Sequence, residues 1–171
     1  ILVKPLKAGE DELGVHMADV SHYIEAGSEL DKEAYNRATS VYRPDRVRPM
    51  LPDRLSNELC SRRPDEDKYT FSAIFTINKQ GKVKDFWLGK TIIRSQRRFT
   101  YEEVQEIIEG ADGDHQDVIL LLNEMAQNLR KTRFKKGAIN FSSQEVRCKL
   151  DEEANPIGII VKESKEAHQL I

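Results

Sequence analysis

The feature that most constrains the fold is a long pair of strand-like segments joined by a short turn. Residues 70–77 are rich in aromatic and branched side chains, and residues 78–81 have the composition of a tight turn. Residues 83–93 are again rich in strand formers. We therefore expect a long antiparallel hairpin, which needs further strands or helices to cover its apolar side.

Two further strand pairs are indicated. Residues 13–18 alternate between apolar and small or polar side chains, which is typical of a half-buried strand. A polar turn at residues 9–12 connects this strand back to the strand-like start of the chain. Residues 145–150 and 157–162 are expected to form a last pair around the turn at residues 155–156.

Helices are expected in four places along the chain. Ser28 or Asp31 can cap the first helix, because each offers a side-chain oxygen to the free amides of a first turn. Thr100 and Glu103 have the spacing of a capping box, which opens a second helix that ends at Gly110. With the strands, these helices predict an α+β domain with a largely antiparallel, curved sheet and packed helices.

The third helix follows His115 and shows the clearest amphipathic pattern, ending at Gly137. Its predicted apolar face consists of Val118, Leu121, Leu122, Met125 and Leu129. A further helix is expected from Lys165 onward.

Three prolines make regular structure unfavourable in residues 43–53, because each lacks an amide donor and restricts the residue before it. We expect an ordered loop here. Its predicted apolar anchors are Val47, Met50 and Leu51.

Composition sets wide bounds on function. The 171 residues, 39% of them hydrophobic, suffice for one cored domain, and 27 basic against 29 acidic residues leave no overall basic footprint. Cys60 and Cys148 are far apart, so we expect no zinc ribbon, no disulfide partner and a reducing, cytoplasmic setting. Neither a membrane span nor a signal peptide is indicated. The strand-like start at Ile1 and the apolar end at Ile171 lead us to expect an excerpt cut at both ends.

One candidate metal site is the trio His16, Asp19 and His22, which lie three residues apart. A strand places His16 and Asp19 on opposite faces, so their side chains are not expected to converge on one ion. We favour a structural role, in which His16 fills a half-buried sheet position and Asp19 caps the turn at Ser21.

A second candidate site rests on aromatic residues next to cations. Single-stranded nucleic acid binds to aromatic platforms beside a cationic groove. Any one such aromatic is more often part of a core, and an arginine run is more often a solvated face. Three aromatic residues stand on polar segments that follow arginine or lysine residues: Tyr42, Tyr101 and Phe141.

Several motifs resemble one family, in its order and spacing, over essentially the whole chain. They are GVHMADVSHY at 14–23, ATSVY at 38–42, PMLPDRLSNELCS at 49–61, KYTFS at 68–72, RFTY at 98–101, GAINF at 137–141 and EAHQLI at 166–171. These motifs are similar to the catalytic RNB domain of the ribonuclease II and ribonuclease R family. The pattern is nearest to that of bacterial ribonuclease R.

The resemblance implies a magnesium-dependent enzyme that degrades single-stranded RNA processively from its 3′ end and releases nucleoside 5′-monophosphates. In the family, an aspartate-rich motif holds the ions. This sequence does not contain that motif, and Asp11 and Asp19 do not match it. We therefore expect the polypeptide by itself not to hydrolyse RNA, with no catalytic or metal residue of its own.

By the same resemblance, Tyr42 is the tyrosine that stacks on the terminal base, and Phe141 is the phenylalanine on the other side of the bound 3′ segment. Tyr101 matches a tyrosine near the entering strand. Two alternatives remain open: an RNB-like protein that has lost catalysis and only binds RNA or a protein partner, and an unrelated interaction domain. The oligomeric state is not predicted.

Overall fold

In the computed structural model, which describes residues 1–139, 145–162 and 165–170, antiparallel sheets and helices form an α+β arrangement. The strands are β1 (Leu2–Pro5), β2 (Glu10–Ala18), β3 (Val41–Tyr42), β4 (Val47–Arg48), β5 (Asp67–Asn78), β6 (Val83–Arg94), β7 (Glu145–Leu150) and β8 (Pro156–Lys162). The α-helices are α1 (Glu29–Arg37), α2 (Tyr101–Ile108) and α3 (Gln116–Lys135). The predicted fold class is confirmed.

The main sheet has the strand order β1-β2-β5-β6, with every neighbouring pair antiparallel. The expected long hairpin is its β5–β6 half. Asn78 closes the hairpin turn, because its side-chain oxygen accepts from the amides of Gln80 and Lys82. Gly81, at φ 76°, supplies the left-handed residue of the turn. The β7–β8 hairpin also forms as predicted, as a separate two-stranded sheet.

The turn of the first hairpin lies earlier than the sequence suggested. It is a 3₁₀ turn at Lys7–Gly9, in which Gly9 has φ 74°, and the acidic residues after it belong to β2. Glu10 and Asp11 pair with Asn78 and Ile77 of β5. The prediction of a turn at residues 9–12 was therefore wrong in its position, since the glycine closes the turn and frees the next residues for the ladder.

Capping interactions fix the starts of α1 and α2. Ser28 is the N-cap of α1, because its hydroxyl accepts from the Asp31 amide at 3.2 Å, while the Asp31 carboxylate accepts from the Gly27 amide at 2.8 Å. The predicted capping box of α2 is present in full between Thr100 and Glu103. Both helices begin where their caps predict.

The predicted apolar face of α3 is covered in part, with Val118, Leu121 and Leu122 half-buried. Ile119 and Met125 are buried, whereas Leu129 is 40% exposed and lies against Gly81 in the β5–β6 turn. Ile119 was missed because it lies to one side of the chosen apolar stripe. Gly137, at φ 92°, follows the end of the helix as expected.

The proline-rich segment contains more regular structure than predicted. β3 and β4 form a two-residue ribbon, in which Val41 pairs with Arg48 and Tyr42 with Val47. Pro44 lies in the connecting turn, outside both strands, and so removes no donor from the ladder. Val47 is exposed and is not the predicted anchor.

Two other predictions for these regions have clear outcomes. The anchors Met50 and Leu51 are half-buried and line a cavity of about 560 Å³ beside α1. The helix expected from Lys165 is a four-residue 3₁₀ turn at Glu166–Gln169, whose Ala167 amide donates to the buried side chain of Gln105 in α2.

Ala38, which follows α1, has φ 61°, a conformation that costs an L-residue energy but suits glycine. We predict that Ala38→Gly raises the free energy of unfolding by about 0.5–1 kcal/mol, because relief of this strain outweighs the greater freedom of glycine in the unfolded chain. Thermal and denaturant unfolding measure the change. Ala126→Gly inside α3 is the matched control and is expected to lower stability by about 1 kcal/mol; a similar loss in both variants would contradict the prediction.

Candidate nucleic-acid interface

Tyr42 stands on the β3–β4 ribbon with 78% of its surface exposed. The ribbon turn is closed by the Arg43 amide, which donates to the Arg46 carbonyl oxygen at 2.9 Å. The Asp45 carboxylate accepts a hydrogen bond from Arg46 Nε at 2.6 Å and forms an ion pair with Arg43 at 3.4 Å. The ribbon therefore carries one exposed phenol ring and, within four residues of it, two guanidinium groups. These are the residue types that stack on a base and bind phosphates.

The hydrogen bond from Arg46 is the main cause that holds the pKa of the Asp45 carboxyl below its ordinary value, with further lowering from the charge of Arg43. Asp45 is thus ionised at neutral pH and keeps both arginines close to the turn.

Tyr101 lies at the first position of α2, just after the capping box, with 42% of its surface exposed. Its ring stacks on His168 with centroids 4.3 Å apart and an interplanar angle of 16°. One side of the ring is therefore already covered by an imidazole. No sequence pattern predicts this stack, because His168 is 67 positions further along the chain.

The two predicted RNA-contacting aromatics that the structure describes, Tyr42 and Tyr101, are not in contact with each other. Tyr42 belongs to the ribbon after α1 and Tyr101 to α2, and the ring contacts of the described residues do not join them. Phe141 lies outside the described residues, so its predicted role stays a prediction.

The trio His16, Asp19 and His22 does not converge. His16 Nδ1 lies 2.7 Å from the Ser72 hydroxyl, and the His22 ring stacks on Tyr69 at 3.9 Å. The Asp19 carboxylate, only 3% exposed, bonds instead to Ser21 in the following turn and to Lys90 in β6. His16 takes the predicted half-buried sheet position. The predicted cap is not formed, because the Asp19 carboxylate accepts from the Ser21 hydroxyl and not from a backbone amide of the turn.

The residues that the structure describes do not fit a magnesium site. Among them there is no group of three or more His, Cys, Asp or Glu side chains placed to hold a metal ion. The most buried carboxylate, Asp19, has its oxygens engaged by Ser21 at 2.5 Å and Lys90 at 2.9 Å.

Hydrogen bonding explains why Asp19 stays charged although it is buried. The Ser21 hydroxyl is the largest influence that lowers the pKa of Asp19, followed by the Lys90 ammonium, and together they outweigh burial. The pKa of His16 is also lowered, but here the main cause is burial, which favours the neutral form of the ring.

A buried hydroxyl network supports the sheet next to this region and was not anticipated from the sequence. Thr70 and Ser72 are fully buried, and both bond to the Thr91 hydroxyl, at 2.7 and 2.5 Å. With His16 they join β2, β5 and β6 on one face of the sheet. The period-two spacing of Thr70 and Ser72 was the available signal, but strands usually bury apolar residues at such positions.

The sequence model of the RNB domain matches residues 1–171, which is the whole chain. The chain belongs to the RNB domain family. Its relatives include "Ribonuclease R 2" of Lactococcus lactis, which is 39% identical over 184 residues and covers 100% of this RNB chain. The match spans 27% of that relative, so the chain is about a quarter of its length.

Solved structures agree with this membership. Mycoplasma genitalium RNase R in complex with ribose-methylated single-stranded RNA superposes with a TM-score of 0.88 at 31% identity, over 98% of this chain and 27% of that one. Yeast Ssd1, described as a pseudonuclease, superposes with a TM-score of 0.69 at 26% identity, over 78% of this chain and 16% of that one. The chain is therefore similar both to a protein named as an RNase and to one described as a pseudonuclease.

Within the part of the chain that the structure describes, no helix is both long and apolar enough to cross a membrane.

The ion pair between the buried Asp19 carboxylate and the exposed Lys90 ammonium predicts an acid-dependent loss of stability. Because the folded pKa of Asp19 is lowered, its contribution is present above the ordinary aspartate pKa and is lost as pH falls from roughly pH 5 toward the folded value. Asp19→Asn is expected to melt at a lower temperature than the wild type at pH 7, with the difference shrinking as pH falls.

Thermal unfolding from pH 7 to pH 3 measures this difference. Asp67→Asn is the matched control. Asp67 pairs with Arg94 at the surface, where both side chains are exposed, so loss of this ion pair is expected to change the melting temperature little. A difference in melting temperature between the wild type and Asp19→Asn that stays constant from pH 7 to pH 3 would refute the prediction.

Proposed function

We propose that this chain is the RNA-gripping part of an exoribonuclease that degrades single-stranded RNA processively from the 3′ end to nucleoside 5′-monophosphates. The observation that carries the proposal is the exposed Tyr42 ring on a ribbon beside Arg43 and Arg46, in a chain of the RNB family. In this proposal the terminal base of the RNA stacks on Tyr42.

The chemistry of the ribbon supports recognition of a chain end with little dependence on base identity. Every base has a π-face, so stacking on a phenol ring tolerates sequence, at about 1–3 kcal/mol per base. Guanidinium groups complement phosphate oxygens at short range. Arg43 and Arg46 are half-exposed around Asp45, close enough to Tyr42 in sequence to meet the phosphate next to a stacked base.

The other aromatics have separate proposed roles. Tyr101, stacked on His168 at the start of α2, contacts the RNA nearer to where the strand enters. Phe141, by its motif, holds the opposite side of the 3′ segment from Tyr42. Magnesium in this proposal is held by aspartates that the present sequence does not contain, and supplies the charge stabilisation for hydrolysis when bound.

Tyr42→Ala tests the stacking role directly. We expect binding of a single-stranded RNA with a free 3′ end to weaken about 5- to 150-fold, the equivalent of one lost stacking contact. Fluorescence anisotropy with a 5′-labelled oligonucleotide in EDTA measures the dissociation constant. Tyr35→Ala is the control, because Tyr35 is also an exposed tyrosine, at 84%, but lies on α1; equal affinity of both variants and the wild type would refute the proposal.

The absence of the family's aspartate-rich motif from this sequence predicts that the purified 171-residue chain does not hydrolyse RNA. Incubation of a 3′-labelled RNA with the chain and magnesium, followed by chromatography, is expected to yield no nucleoside 5′-monophosphate. Magnesium-dependent release of mononucleotides that persists through further purification is the contrary result.

A second candidate function is RNA binding without chemistry, which the likeness to the pseudonuclease Ssd1 favours. The same mononucleotide assay on the full-length protein that carries this chain separates the two candidates. Release of mononucleotides supports the exonuclease, whereas tight, Tyr42-dependent binding with intact RNA supports the second candidate.

A further inference from the structure

The Tyr42 side chain is placed by its backbone alone. Among the described residues, the hydrogen bonds, ion pairs and ring contacts include none made by the Tyr42 ring or hydroxyl, and the ring is 78% exposed. Stacking on a base depends on the height and tilt of the ring. The position of the ring therefore depends on whatever fixes the β3–β4 ribbon.

The base of the ribbon is closed by the Ser40 hydroxyl. Ser40 immediately precedes β3, and its Oγ accepts from the amide of Met50, two residues after β4, at 3.0 Å. This bond spans ten residues and ties the two ends of the ribbon together beyond its backbone pairs. Met50 is half-buried, so its amide would lose a partner if the hydroxyl were removed.

A second bond ties the ribbon to α1. Arg37, in the last turn of α1, donates from Nη1 to the Pro49 carbonyl oxygen at 3.1 Å. Its Nε donates to Glu33, one turn earlier, at 2.8 Å. Because the guanidinium is planar, a pairing on Nε fixes the direction of Nη1, so the helix surface determines where Pro49 lies.

The chain between these two contacts has little freedom. Ala38 leaves α1 in the left-handed region at φ 61°, with its amide still bonded to the Ala34 carbonyl oxygen at 3.0 Å. The next amide, of Thr39, donates to the Arg37 carbonyl oxygen at 2.7 Å. Helix, sharp exit and ribbon thus form one continuous hydrogen-bonded unit that ends at Tyr42.

We propose that Ser40 and Arg37 are positioning residues that hold the Tyr42 ring at the height and tilt needed to recognise a 3′-terminal base. The inference rests on the proposed function, because it assumes that Tyr42 stacks on that base. Neither residue touches the base in this proposal: both act through the ribbon, Ser40 by closing its base and Arg37 by fixing it to α1.

The test compares two ligands on the full-length protein that carries this chain, in EDTA. One is a 5′-labelled single-stranded RNA with a normal 3′-terminal nucleotide, and the other is the same RNA ending in an abasic ribose. The dissociation constant for the abasic RNA, divided by that for the normal RNA, measures recognition of the terminal base separately from general RNA affinity. We expect Tyr42→Ala to remove the wild-type preference for the base.

Ser40→Ala and Arg37→Lys are expected to reduce this ratio about three- to tenfold, the effect of losing one hydrogen bond, while affinity for the abasic RNA stays within about twofold. Ser40→Thr keeps the hydroxyl and is expected to keep the ratio. The matched controls are Thr132→Ala, a hydroxyl deletion on α3, and Lys32→Arg, an exposed position on α1. In a Tyr42→Ala background, Ser40→Ala is expected to have no further effect on the ratio.

The outcomes separate the inference from the proposed function. If Tyr42→Ala abolishes the preference but Ser40→Ala and Arg37→Lys leave it unchanged, the positioning role is refuted and the stacking role stands. If both variants weaken the two ligands equally with a lower melting temperature, their role is only structural and the inference is also refuted. If the wild type shows no preference and Tyr42→Ala is neutral, the proposed function fails.

Discussion

Antiparallel pairing of β2, β5 and β6 is the interaction on which the rest of the structure depends. β2 is paired on both sides, by β1 and β5, and the β5–β6 hairpin is twelve residues long on each strand. Since side chains alternate between faces, a shift of one residue in either ladder would exchange the two faces. The position of every later element depends on this register.

Polar side chains make that register specific. In the observed alignment Thr70 lies opposite Thr91, and Ser72 lies opposite both His16 and Gly89, which lets the hydroxyls and the imidazole bond to one another. A slipped ladder would leave these buried groups without partners, at a cost for each. At the end of β2, the Asp19 amide bonds to the Tyr69 carbonyl oxygen, so the segment that leads to α1 starts from a fixed point.

Local chemistry made much of the fold predictable from the sequence. The β5–β6 hairpin, the α2 capping box and the β7–β8 pair depend on turn residues and caps close in the sequence. What failed depends on contacts between distant residues or on one backbone angle. The glycine at position 9 closes the first turn earlier than expected, and the β3–β4 ribbon forms although Pro44 lies in its connecting turn and Pro49 follows β4.

The candidate site shows the same division. Tyr42 was identified from its motif and its flanking cations, and its ring is exposed, while its contact with RNA stays a prediction. The stack of Tyr101 on His168 and the bonds from Ser40 and Arg37 could not be predicted, because they join residues through the tertiary structure or through a side-chain rotamer. Sequence patterns identify candidate functional residues, but they do not show with which groups the side chains of those residues bond.

The chain has a single tryptophan, and its position gives the molecule an internal optical probe. The Trp87 ring lies so close over Gly89 on β6 that a Cβ on that glycine would overlap it, and Gly89 faces Ser72 across the ladder. The indole therefore covers the strand beside the buried hydroxyls, where it compensates for the missing side chain of the glycine. Its emission reports whether the outer strand is in register, without interference from any other indole in the chain.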